Sequence, residues 1–335
     1  MPHVEQMKLA PGMTVSEIAA EMEKAGVLGA GRLGKAVKIV TEMFQDRDYT
    51  RFLTLAGPMV AGGLRKIARD LIQMGYIHGI VTTGANITHD LIEAFGYKHE
   101  IGTSLANDDE LKRKGIGRIY DIYIKEAAFR KLEKETHRIL ADISEEKRRN
   151  IATYELLWEI GKRLKDRNSI LKTAEIKKVP IISPAIHDSM LGIHLWTFSQ
   201  LHPLAVNPLL DFSKLTDMLL TAKKSGVIIV GGGVPKHHIL AANMLRGGVD
   251  AAIQITFDRP EAGGLSGAPL EEAISWRKVR SGGKLVTVIG DATILFPIIV
   301  LAAIEKIRRL QASTLSRCSK PTIAGFTLEA VSRRD

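Results

Sequence analysis

The chain has 335 residues, with 47 Lys or Arg and 37 Asp or Glu, so its formal net charge is +10. Apolar residues make up 45% and charged residues 25% of the chain, which excludes a disordered or collagen-like protein. The one cysteine, Cys318, excludes an internal disulfide framework and a cysteine-based metal cluster, and it predicts a reducing, cytoplasmic setting.

Residues 1–50 are predicted to form an N-terminal helical arm. Thr14 is placed to cap the first helix, and Glu17 would complete a capping box. The helical pattern extends from Thr14 to Met43, and we predict a turn between two helices at Gly29–Gly34. The segment has no apolar region of the kind found in secretory signals.

From Phe52 onward, short β-branched runs that end in glycine or a polar residue alternate with amphipathic helical patterns. This alternation predicts an α/β fold over residues 51–310: a doubly wound, mostly parallel, Rossmann-like sheet with helices on both faces. The runs are Phe52–Gly57, Gly79–Ala85, Val179–Ile186, Gly226–Gly233, Ala251–Phe257 and Leu285–Ala292. Because ligands bind beyond the carboxyl ends of such strands, the polar residues there are the site candidates.

Neither the basic excess nor the apolar runs have the pattern of a nucleic-acid or membrane partner. Between Ile124 and Lys178 the charges are dense but of mixed sign, which is typical of salt-bridged helix faces, so we expect no nucleic-acid partner. The longest apolar run, Ile294–Ile304, is shorter than the roughly 20 residues that span a bilayer, so no membrane span is predicted. Residues 311–335 are predicted to be a poorly ordered tail.

Two turns in the first half of the sheet carry candidate ligand contacts. Thr82–Ala85 end a strand with hydroxyls and unobstructed backbone amides, which suits a cofactor. A helix is predicted to start near Thr88, so Thr88 and Asp90 also fit simple helix caps. Asp188 follows a later strand and could accept hydrogen bonds from ribose hydroxyls or orient a base. The His-Asp pairs lack metal-ligand spacing, so no metal is predicted.

Three glycines, Gly231–Gly233, separate a strand from a helix that begins near Pro235. Such a turn lets the backbone approach a phosphate, and the helix N-terminus favours an anion. A purely structural turn is the alternative, because Lys236 stands where the G-x-G-x-x-G pattern has its third glycine. His237 is a candidate proton carrier near neutral pH, whereas His238 is interpreted as a packed or surface histidine.

A Gly/Ser loop leads to a predicted helix with Glu272, Trp276 and Lys278. Glu272 and Trp276 are i, i+4 neighbours, and a carboxylate beside an aromatic face suits a cationic amine. Lys278 is a candidate nucleophile if its surroundings favour the neutral amine, and a solvent-facing lysine is the alternative. Asp291 and Ala292 end the last strand, where a ligand would lie, although Asp291 also fits a helix cap.

Five blocks, in this order, resemble the deoxyhypusine synthase family: TTGANITHDL, SPAIHDSMLG, GGGVPKHHI, SGAPLEEAISWRKV and GDATILFP. The resemblance extends from about Phe52 to Lys306, and the residues of the TTGAN and HDS segments are similar to those of the archaeal branch. It implies that NAD accepts a hydride from spermidine and that 1,3-diaminopropane is released. The butylimine then passes through an enzyme lysine to one lysine of the translation factor 5A precursor, where NADH reduces it to deoxyhypusine.

The resemblance also implies residue roles and an assembly. The nucleophile falls on Lys278, after Arg277 where the family usually has glycine, and the general base falls on His237. The amine contacts that it implies are Glu272, Trp276, His89 and Gly263. The NAD contacts that it implies are Thr83, Gly84, Ala85, Asp188, Gly232, Ser266, Asp291 and Ala292. The family is a homotetramer with active sites at subunit interfaces, and the N-terminal helices can cover a neighbouring entrance.

Three positions depart from the eukaryotic pattern. Eukaryotic members have acids where this chain has His89, Ile193 and Leu265, and those acids hold the ammonium groups of the polyamine. An unpaired buried charge is costly, so another donor such as agmatine, or homospermidine-type transfer between small amines, stays an alternative. A catalytically inactive NAD-binding regulatory protein is a further alternative, although the presence of both His237 and Lys278 argues for activity.

Overall fold

The structure, a computed structural model, describes residues 1–318 of the chain. The strands of this part are β1 (Tyr49–Leu55), β2 (Gly79–Thr82), β3 (Glu100–Ile101), β4 (Ile116–Ile119), β5 (Ile122–Lys125), β6 (Ile181–Ile182), β7 (Lys224–Val230), β8 (Val249–Thr256) and β9 (Val279–Ile289). Six of them form a parallel sheet in the order β6-β2-β1-β7-β8-β9, and the other three form a small antiparallel sheet in the order β3-β5-β4. Counted along the chain, the large sheet has the 3-2-1-4-5-6 order of doubly wound folds.

Helices flank this sheet, and the predicted fold class is confirmed. The α-helices of the described residues are α1 (Val15–Ala25), α2 (Leu28–Gln45), α3 (Arg65–Gln73), α4 (Gly84–Ala94), α5 (Asp108–Arg113), α6 (Glu126–Ala141), α7 (Glu145–Arg148), α8 (Thr153–Arg163), α9 (Ile170–Lys177), α10 (Met190–Ser199), α11 (Leu209–Leu220), α12 (Gly233–Ala242), α13 (Glu272–Ser275) and α14 (Ala292–Cys318).

Alternate residues of the central strands enter two separate cores. On β7, Ile228 and Val230 pack into one core, while Val227 and Ile229 pack into the other. Since successive side chains of a strand point to opposite faces, both faces of the sheet are covered. This burial explains why the strand runs are continuously apolar instead of alternating.

The start of α1 agrees with the predicted capping box. The hydroxyl of Thr14 accepts a hydrogen bond from the backbone of Glu17 (3.4 Å), and the Glu17 carboxylate accepts one from the backbone of Thr14 (2.7 Å). The turn predicted at Gly29–Gly34 is wrong, because that segment lies inside α2 and the chain turns at Gly26 instead. A Cβ on Gly34 would lie 2.5 Å from the Cα of Glu23, so this glycine permits close packing of the two helices.

Both N-terminal helices pack on the body of the same chain. The backbone of Ser16 donates to Glu305 on α14 (2.8 Å), and Arg309 pairs with Glu17 (3.0 Å). The helix α14 continues to Cys318, so the beginning of the predicted tail is helical, and residues 319–335 lie outside the described residues. The division at residue 50 stays a prediction.

The mixed-sign charges of the middle region form ion pairs along the helices, as with Lys131 and Glu135 (2.8 Å) or Lys147 and Glu159 (2.6 Å). Within residues 1–318, no helix combines the length and the apolar character needed to cross a membrane.

Candidate active site

A cavity of about 750 Å³ lies at the carboxyl ends of β1, β7, β8 and β9; we call it the edge cavity. Its lining includes residues 56–59 after β1, 231–232 after β7, 256–258 after β8 and 291–293 after β9, together with residues 99–101 and 119–122 of the small sheet. The edge cavity spans the point between β1 and β7 where the strand order reverses, which is where open α/β sheets bind ligands.

The glycine turn presents bare backbone to the edge cavity. Gly231 and Gly233 have φ values of +82° and +59°, which glycine adopts at little cost. A Cβ on Gly232 would lie 2.4 Å from the Cα of Ser266, so only glycine fits between the turn and that loop. The helix α12 begins at Gly233, so its N-terminal amides lie beside the cavity and favour an anionic group there.

Four of the eight predicted cofactor residues line the edge cavity: Gly232, Ser266, Asp291 and Ala292. Asp291 also caps α14, because its carboxylate accepts hydrogen bonds from the backbone and the hydroxyl of Thr293 (2.7 Å each). The capping interpretation of Asp291 and its position on the cavity wall are therefore both correct.

A second cavity of about 280 Å³ contains Lys278, and we call it the lysine cavity. His237, Glu272 and Trp276 line it with Lys278, as do Lys236 and Leu265. The Nζ atom of Lys278 lies 5.4 Å from the centre of the Trp276 ring, within the range of cation–π attraction. Trp276 is 61% exposed, so this chain leaves one side of the cavity open.

Lys278 lies away from the carboxyl edge, where the sequence argument placed the chemistry. It directly precedes β9, and its carbonyl accepts a hydrogen bond from Val249 at the start of β8 (3.0 Å). Parallel neighbours require a crossover, so the residue that precedes a strand stands at the amino edge. The predicted helix is a single turn, Glu272–Ser275, and Arg277 follows it with a φ of +57°. Glycine adopts that left-handed conformation at less cost than arginine does.

The electrostatics of the lysine cavity suit proton transfer. Partial burial and the neighbouring charge of Lys278 lower the pKa of His237 below its usual value, so the imidazole is neutral near pH 7 and can accept a proton. Its neighbour His238 packs against the ring of Phe212 (4.8 Å between centroids), which agrees with the packed interpretation. Burial, followed by the charge of His237, lowers the pKa of His238 to about 4.

Lys236 is a member of the site that the sequence argument missed. It is 5% exposed, and its ammonium group donates to the side chain of Gln254 (2.9 Å) and to the carbonyls of Leu265 (3.0 Å) and Ala268 (2.5 Å). Burial lowers its pKa to about 8, Glu272 and Glu271 oppose that shift, and Lys278 adds to it. A lysine at the position of the third glycine was the only signal in the sequence, and it indicated a departure from a motif without giving a role.

The turns after β2 and β6 form a separate group. Thr83 caps α4 by accepting a hydrogen bond from Asn86 (3.4 Å). A Cβ on Gly84 would lie 2.5 Å from the hydroxyl of Ser189, so the two turns are in close contact. Asp188 is exposed beside them. Thr83, Gly84, Ala85 and Asp188 line neither the edge cavity nor the lysine cavity.

His89 is buried on α4 in a chain of hydrogen-bonded side chains. Its Nδ1 lies 2.9 Å from Nε2 of His99, and Nδ1 of His99 lies 3.0 Å from Glu93. Burial, then the charge of His99, lowers the pKa of His89 to about 4, while Glu93 opposes the shift. His89, Ile193 and Gly263 are not among the residues that line the lysine cavity.

The prediction that Thr88 and Asp90 cap their own helix is wrong, because both lie inside α4, whose N-cap is Thr83, and they bind the first turns of α10 and α9 instead. The hydroxyl of Thr88 accepts a hydrogen bond from the backbone of Leu191 (3.2 Å), and Asp90 accepts bonds from the first amides of α9 and from Arg65 (2.6 Å). No group of three or more His, Cys, Asp or Glu side chains that could hold a metal occurs among the described residues.

The strand order, the glycine turn and the cavity at the reversal point define a Rossmann-like α/β protein with one cavity at the carboxyl edge of its sheet and a second cavity that contains a lysine. The family profile of deoxyhypusine synthase matches residues 17–303. The chain therefore belongs to the deoxyhypusine synthase family, which makes it an enzyme of the transferase class, and the resemblance drawn from the five blocks is confirmed.

Two curated relatives and one solved structure support this assignment. The chain is 46% identical over 305 residues to the "Probable deoxyhypusine synthase" of Methanothermobacter thermautotrophicus, which covers 91% of this chain and 99% of that protein. It is 43% identical over 295 residues to that of Methanopyrus kandleri, covering 88% and 95%. The crystal structure of a "putative deoxyhypusine synthase" from Entamoeba histolytica has the same fold, with a TM-score of 0.64, 22% identity and coverage of 88% and 94%.

Proposed function

We propose that the chain transfers the aminobutyl group of spermidine to a specific lysine of the translation factor 5A precursor. The reaction depends on NAD and forms deoxyhypusine through an imine on Lys278. The observation that carries the proposal is that Lys278, His237, Glu272 and Trp276 line one cavity. In a member of this family, those four side chains are the set that amine transfer requires.

The residues of the edge cavity fit NAD. The volume is within the roughly 300–1,000 Å³ of small-molecule sites, and the contact of Gly232 with Ser266 leaves bare backbone beside the N-terminus of α12 for a pyrophosphate. Asp291, Ala292, Thr83–Ala85 and Asp188 complete the proposed contacts. NAD, when bound, would take a hydride from spermidine and return it to the product, so the overall reaction involves no net redox change.

The side chains of the lysine cavity have distinct roles in this proposal. The side-chain amine of Lys278 attacks the imine carbon of the oxidised donor, and the C–N bond to 1,3-diaminopropane breaks. The acceptor lysine then attacks the same carbon and releases Lys278. His237 accepts and returns the protons, because its lowered pKa leaves it neutral near pH 7. Glu272 pairs with the ammonium end of the donor, and the Trp276 ring packs over its cationic part.

The apolar wall of the lysine cavity keeps a second candidate function open. Glu272 is the one carboxylate among the described lining residues, and Leu265 stands where eukaryotic members have an acid. A donor with a different distribution of charge, such as agmatine, or a small-amine acceptor would suit this wall. The convergence of Lys278 and His237 weighs against an inactive regulatory protein.

We further propose a homotetramer in the cytoplasm with its active sites between subunits. The open side of the lysine cavity, where Trp276 is exposed, supports a site that another subunit covers. The helices α1 and α2 are the candidate arm for that cover. The single cysteine of the chain fits the reducing compartment.

The deciding experiment incubates the protein with NAD, the purified factor 5A precursor, and labelled spermidine or labelled agmatine. Label from spermidine on the protein acceptor is the expected result. Label found only in small amines would favour polyamine synthesis, and label transferred from agmatine alone would change the donor. An absence of label with both donors would point to the inactive alternative.

A further inference from the structure

The buried ammonium group of Lys236 has all of its hydrogen-bonding capacity in use. An ammonium has three donors, and the three acceptors are the side-chain oxygen of Gln254 and the carbonyls of Leu265 and Ala268. Those carbonyls belong to a loop that is 29 and 32 residues further along the chain. None of these three acceptors is a carboxylate, so this lysine is held by backbone and amide oxygens alone.

Gln254 extends the same network to the glycine turn. Its side-chain nitrogen donates to the carbonyls of Gly231 (3.0 Å) and Ser266 (2.7 Å), while its oxygen accepts the bond from Lys236. Both residues are buried on neighbouring elements, β8 and α12. A network with every donor in use admits one arrangement of the segments that it joins.

The joined segments form the partition between the two cavities. Ser266 lines the edge cavity, while Leu265 and Ala268 line the lysine cavity. The same loop leads directly into Glu272 and Trp276. A displacement of this loop would therefore change the shape of the edge cavity and of the lysine cavity at the same time.

We propose that Lys236 and Gln254 are positioning residues that clamp the 265–268 loop, fixing the distance between bound cofactor and Lys278. The positioning role rests on the proposed function, because it requires NAD in the edge cavity. The clamp is a property of the chain itself and can be measured without any ligand.

The test compares Lys236→Met with the wild-type protein. Methionine has a similar length but donates no hydrogen bond, so three acceptors lose their partner. Gln254→Met is the second variant, since it opens the same network from β8 and leaves Lys236 in place. Lys223→Met is the matched control, because Lys223 is an exposed lysine paired with Asp48 at the surface.

Three readouts separate positioning from general stability. Hydrogen exchange is followed at the amides of Gly267 and Ala268, which both donate to the carbonyl of Gly264 (3.2 Å). NAD affinity is measured by calorimetry, and the imine that forms on Lys278 with NAD and labelled spermidine is trapped with borohydride. We expect both variants to exchange at least tenfold faster in the loop, to bind NAD at least tenfold more weakly, and to trap less imine even at saturating NAD. The control should match the wild type in all three measurements.

Unchanged exchange in both variants would overturn the clamp. Faster exchange with wild-type NAD affinity and trapping would overturn the positioning role. If the wild-type protein binds no NAD, the proposed function fails, and the exchange measurement alone then decides whether the clamp exists.

Discussion

The candidate site has two parts, and a single chain brings together the residues of one part but not those of the other. The part on β7–β9, which we call the lysine half, contains Gly232, His237, Ser266, Glu272, Trp276 and Lys278. These residues line two cavities that share one clamped loop. The part after β2 and β6, which we call the histidine half, contains Thr83–Ala85, His89, Asp188 and Ile193. None of these residues lines either cavity.

Sheet order accounts for the separation. Three strands, β1, β7 and β8, lie between β2 and β9, which places those two strands roughly 19 Å apart at about 4.8 Å per neighbour. The side chain of His89 cannot reach Lys278 across that distance. This separation favours a second copy of the chain as the source of a His89 that acts beside Lys278, as the proposed tetramer would provide.

The most damaging change to the lysine half is Lys278→Ala. We expect transfer to fall by at least about a thousandfold, because the other lysine of the cavity, Lys236, has its three donors engaged and cannot replace this amine. NAD affinity should persist, since the edge cavity does not include Lys278. Labelled spermidine measures the first effect and calorimetry the second. A variant that still labels factor 5A would disprove the nucleophile assignment.

Gly232→Ala should break the link between the two cavities. The added Cβ would lie 2.4 Å from the Cα of Ser266, so the glycine turn and the loop must separate. We expect NAD affinity to fall by about a hundredfold, which calorimetry would measure. Gly264→Ala is the matched control in the same loop, because a Cβ there has no atom within 4 Å. Equal effects of the two substitutions would contradict the role of Gly232.

The sequence was sufficient for features that repeat along the chain or depend on near neighbours. The strand runs, the capping box at Thr14 and the glycine turn are of this kind. It was also sufficient to bring Lys278 and His237 together, although through family blocks and not through strand ends. The rule that ligands bind at the carboxyl ends of parallel strands correctly located Asp291, which follows β9. The same rule cannot predict a functional residue at the amino end of a strand, where Lys278 precedes β9.

Features that depend on distant contacts were not predictable. The segment Gly29–Gly34 is rich in glycine, as many turns are, yet it lies inside α2. The glycine at position 34 is explained by the close packing of Glu23 from α1 against it. In the sequence, Lys236 was visible only as a departure from the G-x-G-x-x-G pattern. Its role could not be predicted, because two of its acceptors are backbone carbonyls whose position only the fold determines. The small sheet of β3, β4 and β5 has strands of two to four residues, too short for a periodic pattern.

His89→Ala tests whether the histidine half joins the site. We expect KM for the amine donor to rise about tenfold, because the variant loses one amine contact. NAD affinity should change less, because His99, which lines the edge cavity, loses its bond to His89 but keeps its bond to Glu93. Steady-state kinetics with varied spermidine would measure KM. Mixing this variant with Lys278→Ala at low spermidine should recover activity if the two halves come from different subunits. Unchanged KM would remove His89 from the site.

The smallest expected effect concerns stability and leaves both halves intact. Asp211 is fully buried on α11, which supports α12 through the contact of Phe212 with His238. Burial raises the pKa of Asp211 from 3.8 to about 6, although the backbone of Tyr154 donates to it (3.1 Å). The folded protein therefore binds this proton more tightly than the unfolded chain, so stability falls as pH rises from about 4 to 6.

Asp211→Asn removes the buried charge and keeps an acceptor for Tyr154. We expect the variant to be more stable than the wild type by about 1–3 kcal/mol at pH 7. Most of the difference should be lost by pH 4, where the carboxyl is protonated in the folded state and about half protonated in the unfolded chain. Urea denaturation at the two pH values would measure this. Asp217→Asn, an exposed change on the same helix, should alter stability by less than about 0.5 kcal/mol. Because Asp211 lines neither cavity, kcat and KM should stay at wild-type values, and a change in either would show that the support of α12 reaches the lysine half.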